Sequence, residues 1–142
     1  MEDDGLSNTL DDLGIGSIAF TPLAQGLLTI KYLQGVPEES RANQDKSLDR
    51  QKLTPELVEN LKALNELASG RGQPLAQMAL AWVLRGERIT TALIGASSTK
   101  QVVDCAGAVE RLDFTESELS KIDKLSGDIG INLWAKSSET ES

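Results

Sequence analysis

The stretch that decides the fold runs from residue 15 to residue 26 and joins a short apolar run to a loop of small residues. It reads Ile15-Gly16-Ser17-Ile18-Ala19-Phe20-Thr21-Pro22-Leu23-Ala24-Gln25-Gly26. A short apolar run that follows a glycine is typical of a buried strand, and Pro22 with its small neighbours ends the strand. Before the strand, the leucine spacing over residues 6–13 predicts a short helix that ends at Gly14.

A second apolar run, residues 90–94, predicts another buried strand, and Gly95 ends it. Two helices are predicted between the strands. The first, near residues 55–69, starts at Thr54-Pro55-Glu56 and has a buried stripe of Leu57, Leu61, Leu64 and Ala68. The second, near residues 74–85, is opened by Pro74, stopped by Gly86, and has a buried stripe of Leu75, Met78, Ala79, Trp82 and Val83.

Two capping boxes follow the second strand. Ser98 with Gln101 predicts a helix near residues 99–110, and Thr115 with Glu118 predicts one near residues 116–125. Strands separated by helices are expected to be parallel, and two strands alone leave both outer edges unpaired. We therefore expect an α/β fold in which residues 1–142 form a single partial domain. Residues 35–52 are predicted to be a long surface loop, and residues 127–142 an irregular tail.

Composition excludes several classes of function. The net charge of −8 argues against nucleic-acid binding, which requires a basic face to neutralise phosphates. The sequence contains no histidine, which excludes Ser-His and Cys-His catalysis and the usual zinc sites, and we expect no metal. Neither a signal peptide nor an apolar run long enough for a membrane span is present, and Cys105 has no disulfide partner within the chain. These features favour a cytoplasmic protein.

The chemistry is expected where the two strands end. Each strand is followed by a loop of small residues, 21–26 and 95–98, and the second loop enters a helix amino terminus. Backbone N–H groups and the helix dipole favour an anion such as phosphate there. However, helix capping explains Ser98 and Gln101, and turns explain the glycines, so the local pattern alone leaves a purely structural interpretation open. Cys105 lies among valines with no basic neighbour, which predicts an inert thiol.

The same segments resemble a known family. Residues 15–41 are similar to the strand-7 region of aldo-keto reductases, residues 93–105 to the strand-8 region, and Ile131-Asn132-Leu133-Trp134-Ala135 to the tail. The branch that includes bacterial L-glyceraldehyde 3-phosphate reductases and potassium-channel beta subunits is the most similar. The resemblance covers about residues 5–137 and implies the carboxy-terminal portion of a (β/α)8 TIM barrel. In such barrels the loops after the last two strands commonly bind phosphate.

The resemblance also implies an NADP site. Phe20 takes the place of the aromatic residue that stacks on the nicotinamide, and Lys31 and Arg41 approach the phosphates. Gly95, Ser97 and Gln101 meet the adenosine 2′-phosphate. Asp104 and Cys105 stand where the family usually has Glu and Asn beside the adenine. The ribose and pyrophosphate are wrapped by Thr21, Pro22, Leu23, Ala24, Gln25 and Gly26.

The family's catalytic group is Asp, Tyr, Lys and His, and none of these matches a position here. The chain has no histidine, and its single tyrosine, Tyr32, belongs to the strand-7 loop. The resemblance therefore implies a chain that begins after strand 6, holds much of the cofactor and has no catalytic residue of its own. Three hypotheses follow: part of an NADP-dependent reductase that is inactive alone, a nucleotide-binding module that pairs with a separate chain or with itself, and an inactive structural remnant.

Overall fold

The computed structural model describes residues 5–29, 54–86 and 89–126. Five α-helices and two strands lie in these ranges: α1 (Leu6–Asp12), β1 (Ile18–Phe20), α2 (Pro55–Gly70), α3 (Leu75–Leu84), β2 (Thr91–Leu93), α4 (Thr99–Ala106) and α5 (Glu116–Leu125). Short 3₁₀ turns follow β1 at Ala24–Gly26 and continue α4 at Gly107–Glu110. The loop predicted over residues 35–52 and the tail predicted over residues 127–142 lie outside the described residues.

The two strands form a parallel sheet, as the alternation with helices predicted. Ile18 pairs with Thr91, Ala19 with Ala92, and Phe20 with Leu93. At the amino-terminal end of the sheet, the Thr90 hydroxyl accepts a hydrogen bond from the Ser17 backbone N–H at 3.0 Å. The register places the carboxyl ends of both strands at the same edge of the sheet. The described part of the chain is thus an α/β arrangement, consistent with a portion of a barrel.

The expectation that both strands are buried was wrong for one face of the sheet. Ile18, Phe20 and Leu93 are 67%, 66% and 56% exposed, whereas Ala19 and Ala92 between them are half-buried. Alternate residues of a strand point to opposite faces. Helix α3 contacts β2, and the exposure of Ile18, Phe20 and Leu93 shows that the face they share is largely uncovered in the described part of the chain. Hydrophobicity indicates that a residue suits burial but not whether a second layer is there to bury it.

The core lies among helices α2, α3 and α5. The stripe predicted for α2 is confirmed, since all four of its members are buried. In α3, Leu75 and Met78 are buried as predicted. The other three members of that predicted stripe, Ala79, Trp82 and Val83, are only half-buried, while Leu80 and Ala81 are buried instead. This correction has a packing cause, because α3 contacts β2, α2 and the α4 segment and therefore buries more than one side.

The helix starts depend on local hydrogen bonds that the sequence predicted. The Leu57 N–H donates to the Thr54 hydroxyl at 3.2 Å, and Pro55 occupies the first helical position. At α5 the capping box is complete: the Glu118 N–H donates to the Thr115 hydroxyl, and the Thr115 N–H donates to the Glu118 carboxylate at 2.8 Å. Gly14, which follows α1, has a φ of 64° as a left-handed cap requires.

A buried arginine joins the end of α2 to the start of α5. The Arg71 guanidinium forms an ion pair with Glu118 at 2.8 Å, and these side chains are 1% and 17% exposed. Arg71 also donates to the Gln73 side-chain oxygen at 3.1 Å and to the Asp113 carbonyl at 2.8 Å, and its guanidinium lies 3.8 Å from the centre of the Phe114 ring. A charge this deeply buried requires such partners. We call these five residues the Arg71 network.

No described helix is long and apolar enough to cross a membrane.

Candidate functional site

The candidate site is formed where β1 and β2 end. Phe20 and Leu93 are register partners, so the loops that follow them, 21–26 and 94–98, leave the sheet from adjacent positions. Residues 95–98 are all exposed. The structure therefore places the two loops singled out in the sequence side by side at one open edge. Phe20, the predicted nicotinamide neighbour, lies on the exposed face at this edge.

The first loop has an unusual backbone. Thr21 and Ala24 have φ angles of 55° and 46°, and Gly26 has a φ of 93°. Left-handed φ values cost energy for residues with a Cβ atom, and such residues are concentrated at functional sites. The conformation is held locally, because the Ala24 N–H donates to the Thr21 carbonyl at 3.0 Å and the Gly26 N–H to the Leu23 carbonyl at 2.9 Å. The loop is thus a turn of defined geometry that leads to the buried Leu27.

The second loop leads into the amino terminus of α4, where the predicted capping box is only half correct. The Gln101 N–H donates to the Ser98 hydroxyl at 3.3 Å, as a cap requires. The Gln101 side-chain oxygen, however, accepts from the Ser97 N–H at 2.7 Å and from the Ser97 hydroxyl at 3.1 Å. The reciprocal bond therefore reaches one residue further back than predicted, since the extended Ser98 brings the Ser97 N–H within reach. Ser97 and Gln101, both predicted to meet the 2′-phosphate, are in direct contact.

The electrostatics of α4 are set by one ion pair and by the helix backbone. Lys100 pairs with Asp104 at 2.6 Å, one turn apart, so the charges of this pair largely cancel. The N–H groups of Thr99 and Lys100, at the first two helical positions, have no acceptor within the helix. These amides, together with the helix dipole, are the feature of the second loop that favours a phosphate.

Cys105 is half-buried on α4 next to Asp104. Burial raises the pKa of the Cys105 thiol, and the neighbouring Asp104 carboxylate raises it further. A thiol with a raised pKa is a weak nucleophile and a poor metal ligand at neutral pH, in agreement with the predicted inert role. Within residues 5–29, 54–86 and 89–126, no group of three or more His, Cys, Asp or Glu side chains is arranged to hold a metal.

Two of the candidate residues cannot be placed. Lys31 and Arg41, predicted to approach the phosphates, lie outside the described residues, and of Gln25 only the backbone is described. No sequence pattern singled out Gln77, whose side-chain amide donates to the Asp104 carbonyl at 2.6 Å. A residue spacing of 27 along the chain gives no local signal for such a bond.

The family model for the aldo/keto reductase family matches residues 1–127. The chain belongs to the aldo/keto reductase family. It is 48% identical over 139 residues to an L-glyceraldehyde 3-phosphate reductase of Escherichia coli O157:H7, and 47% identical over 139 residues to the protein of the same name in E. coli K12. It is also 37% identical over 117 residues to a protein of Schizosaccharomyces pombe named as a voltage-gated potassium channel subunit beta.

These matches cover 95% of the chain for the two E. coli reductases and 79% for the S. pombe protein. The aldo/keto reductase chain itself spans about 40% of the length of the E. coli relatives and about 34% of the S. pombe relative.

Aldo/keto reductases generally use a nicotinamide dinucleotide, and the residues at this edge of the sheet are compatible with such a ligand. The exposed amides at the start of α4 suit a phosphate, and among the described residues a Cβ atom at Gly95 would meet nothing within 4 Å, which leaves room beside this backbone. The aromatic ring of Phe20 supplies an apolar surface beside them. A donor-lined loop next to an aromatic face is the chemistry that a nicotinamide dinucleotide requires.

Proposed function

We propose that this chain is the cofactor-binding, carboxy-terminal portion of an NADP-dependent aldo-keto reductase that reduces aldehydes or ketones, with β1 and β2 as barrel strands 7 and 8. The observation that carries the proposal is the juxtaposition of loops 21–26 and 94–98 at the carboxyl ends of two parallel strands. Ligands of open and closed α/β folds bind at this end of the strands. The family membership supports the reaction class, because it identifies the chain with an oxidoreductase family.

In this proposal the pyrophosphate and ribose lie along Thr21–Gly26, and a phosphate meets the first N–H groups of α4. The exposed ring of Phe20 flanks the nicotinamide, and Ser97 and Gln101 face the adenosine 2′-phosphate. Lys31 and Arg41 are assigned to the phosphates by family resemblance. The bound cofactor supplies a hydride, and the chain's own residues bind and orient it. Carbonyl reduction also needs a proton donor, and in this proposal none of the family's catalytic Asp, Tyr, Lys and His positions is matched by these 142 residues.

The proposed preference for NADP over NAD is modest. Gln101 stands where many family members carry Arg, and its side-chain oxygen is already bonded to Ser97. The hydrogen bond that an Arg would make to the charged 2′-phosphate is lost with Gln101. Such a bond contributes about 1.5–3 kcal/mol, so its loss lowers the affinity for NADP roughly ten- to a hundredfold. Asp104, held by Lys100, and Cys105 occupy the adenine side, where the family usually has Glu and Asn. Cysteine lacks the paired donor and acceptor of an amide, so adenine recognition is weakened as well.

A second candidate function is a nucleotide-binding module that acts only with another chain. The exposed apolar face of the sheet, formed by Ile18, Phe20 and Leu93, favours it. Contiguous exposed apolar groups next to unpaired strand edges mark surfaces that other chains cover. The partner in this case is either a separate polypeptide that completes the barrel or a second copy of this chain.

One titration and one assay test the proposal. Calorimetry of the purified chain with NADPH and with NADH is expected to show binding of both, with NADPH the tighter ligand. An NADPH oxidation assay with glyceraldehyde or methylglyoxal is expected to show no turnover above background. Tighter binding of NADH would contradict the choice of cofactor, and turnover that persists through repurification would contradict the absence of a proton donor. Sedimentation of the same sample tests the second candidate, because the module requires a stable assembly of fixed stoichiometry, whereas the exposed face of the sheet predicts only non-specific self-association for either candidate.

A further inference from the structure

Helix α4 carries much of the candidate site, yet none of its residues is buried. Its most apolar side chains, Val102 and Val103, are 50% and 64% exposed. A surface helix is normally fixed by an apolar stripe packed on the core. Since only Cys105 on α4 is even half-buried, apolar packing holds the orientation of α4 weakly, and a polar contact gains importance.

Helix α3 contacts α4 and its continuation, and two of the interactions among the described residues are specific. Ala108, in the 3₁₀ turn after α4, is buried at 1% exposure and anchors the end of the segment. One turn earlier, the Gln77 side-chain amide on α3 donates to the Asp104 carbonyl at 2.6 Å. A single anchor acts as a pivot, whereas a second contact fixes the direction of the helix. Helix α3 is a firm base for that contact, because Leu75 and Met78 lie in the core.

Gly107 makes the contact possible. A Cβ atom at this position would lie 2.7 Å from the Gln77 side-chain nitrogen and 3.3 Å from its amide carbon. Any residue other than glycine would have to displace the amide from the Asp104 carbonyl. Gly107 has a φ of −60°, so its glycine is explained by this close approach and not by a backbone conformation that other residues avoid.

We propose that Gln77, admitted by Gly107, is a positioning residue that fixes the direction of α4 and thereby the placement of residues 97–101 toward the cofactor. The inference rests on the proposed function. Asp104 lies six residues after Ser98, which is about 9 Å along a helix. A tilt of about 10° at Asp104 would move the helix start by about 1.5 Å, and displacements of this size are enough to impair a ligand geometry. The affected half of the dinucleotide is the adenosine half with its 2′-phosphate.

The test uses two variants that disturb the contact from opposite sides. Gln77→Met keeps the length of the side chain but removes the donor, and Gly107→Ala keeps the donor but displaces it. Gly70→Ala is the matched glycine control, because a Cβ atom there would meet none of the described residues within 4 Å. Lys121→Met, on the exposed surface of α5, controls for the introduction of methionine.

Two half-molecules of the dinucleotide, its adenosine half and its nicotinamide half, test the two parts of the site separately. We expect both variants to bind adenosine 2′,5′-bisphosphate about tenfold more weakly, the loss typical of one misplaced hydrogen bond, and to bind nicotinamide mononucleotide as the unaltered chain does. Hydrogen exchange should become faster for the amides of residues 98–106 in both variants but not in the controls.

The other outcomes contradict the positioning role alone or the proposed function together with it. If the unaltered chain binds adenosine 2′,5′-bisphosphate and both variants bind it equally well, the positioning role is overturned while the proposed function stands. If both variants lose both half-molecules together with their cooperative melting, Gln77 is a general stability residue and the inference is again overturned. If the unaltered chain binds neither half-molecule, the proposed function fails and the positioning claim fails with it.

Discussion

Ala24 has a φ of 46°, and its N–H donates to the Thr21 carbonyl, so both its backbone angle and its donor shape loop 21–26. Proline fixes φ near −65° and has no N–H group, which makes it incompatible with both features. We predict that Ala24→Pro weakens NADPH binding at least about tenfold, the loss expected for a misplaced loop and its hydrogen bond. Titration calorimetry of the unaltered chain and the variant measures the change.

The matched control is Glu116→Pro. Position 116 is the first residue of α5, and the preceding Thr115 has φ −76° and ψ 156°, which a following proline tolerates. Equal NADPH affinity in Ala24→Pro and Glu116→Pro would show that the geometry of the loop does not matter for the cofactor.

The Arg71 network links two elements, since it ties the end of α2 to the start of α5. Removing one partner of a buried ion pair leaves the other without compensation. We predict that Arg71→Met lowers the free energy of unfolding by about 3 kcal/mol, the low end for such pairs because Glu118 is partly exposed. Urea unfolding measures it. In the control Lys62→Met, which breaks the exposed pair with Glu59, the loss should stay below about 0.5 kcal/mol. Equal losses would contradict a structural role for Arg71.

Because Glu118 titrates, the stability that the Arg71 network gives to the folded chain depends on pH. The hydrogen bond from the Thr115 backbone lowers the pKa of the Glu118 carboxyl, and the Arg71 guanidinium lowers it further. A carboxylate with a lowered pKa in the folded chain stabilises it fully above the unfolded value of about 4.3, and this contribution is lost as the pH falls through the folded value. We predict that Glu118→Gln is less stable than the unaltered chain at pH 7 and that the difference narrows toward pH 3. Urea midpoints at both pH values test this, and a difference independent of pH would refute it.

The elements were predictable to the extent that their signals are local. The starts of α2 and α5 follow from Thr54 and Thr115, whose hydroxyls bond backbone groups three residues away. The contacts of Gln77 and Arg71 span 27 and 42 residues, and periodicity contains no information about them. The capping of α4 is an intermediate case, because the Gln101 N–H bonds the Ser98 hydroxyl as predicted, but the Gln101 side-chain oxygen accepts from the Ser97 N–H and not from the Ser98 N–H.

At the scale of the whole molecule, the main determinant of association is the exposed apolar face of the sheet. Ile18 and Leu93 are more than half exposed, and each large apolar side chain left in water forgoes about 1.5–3 kcal/mol of stabilisation. We predict that the chain binds a hydrophobic dye and self-associates, and that the double variant Ile18→Thr with Leu93→Thr reduces both. Threonine is β-branched, as suits a strand. Light scattering after size exclusion, together with dye fluorescence, gives the measurement.

Val109→Thr is the control for this prediction, because Val109 is 63% exposed but lies in the 3₁₀ turn after α4 and not on the sheet. A cooperatively melting monomer without dye binding would contradict the prediction, and so would an equal effect of the control.

The membership of the family, the parallel strands and the order of the helices could all be anticipated from the sequence. The exposure of the sheet could not, because an apolar strand has the same residues whether or not a second layer covers it. The same reasoning applies to the candidate site: the two loops were identified by their small residues, and their adjacency required the register of Phe20 with Leu93.

The central claim is that loops 21–26 and 94–98 together hold the dinucleotide. Backbone amide NMR of the isotopically labelled chain during titration with NADPH tests it most directly. The account predicts that the largest saturable shift changes fall on residues 21–26 and 95–101, with little change in α2 and α5. Changes confined to α2 and α5, or none at millimolar NADPH, would contradict it.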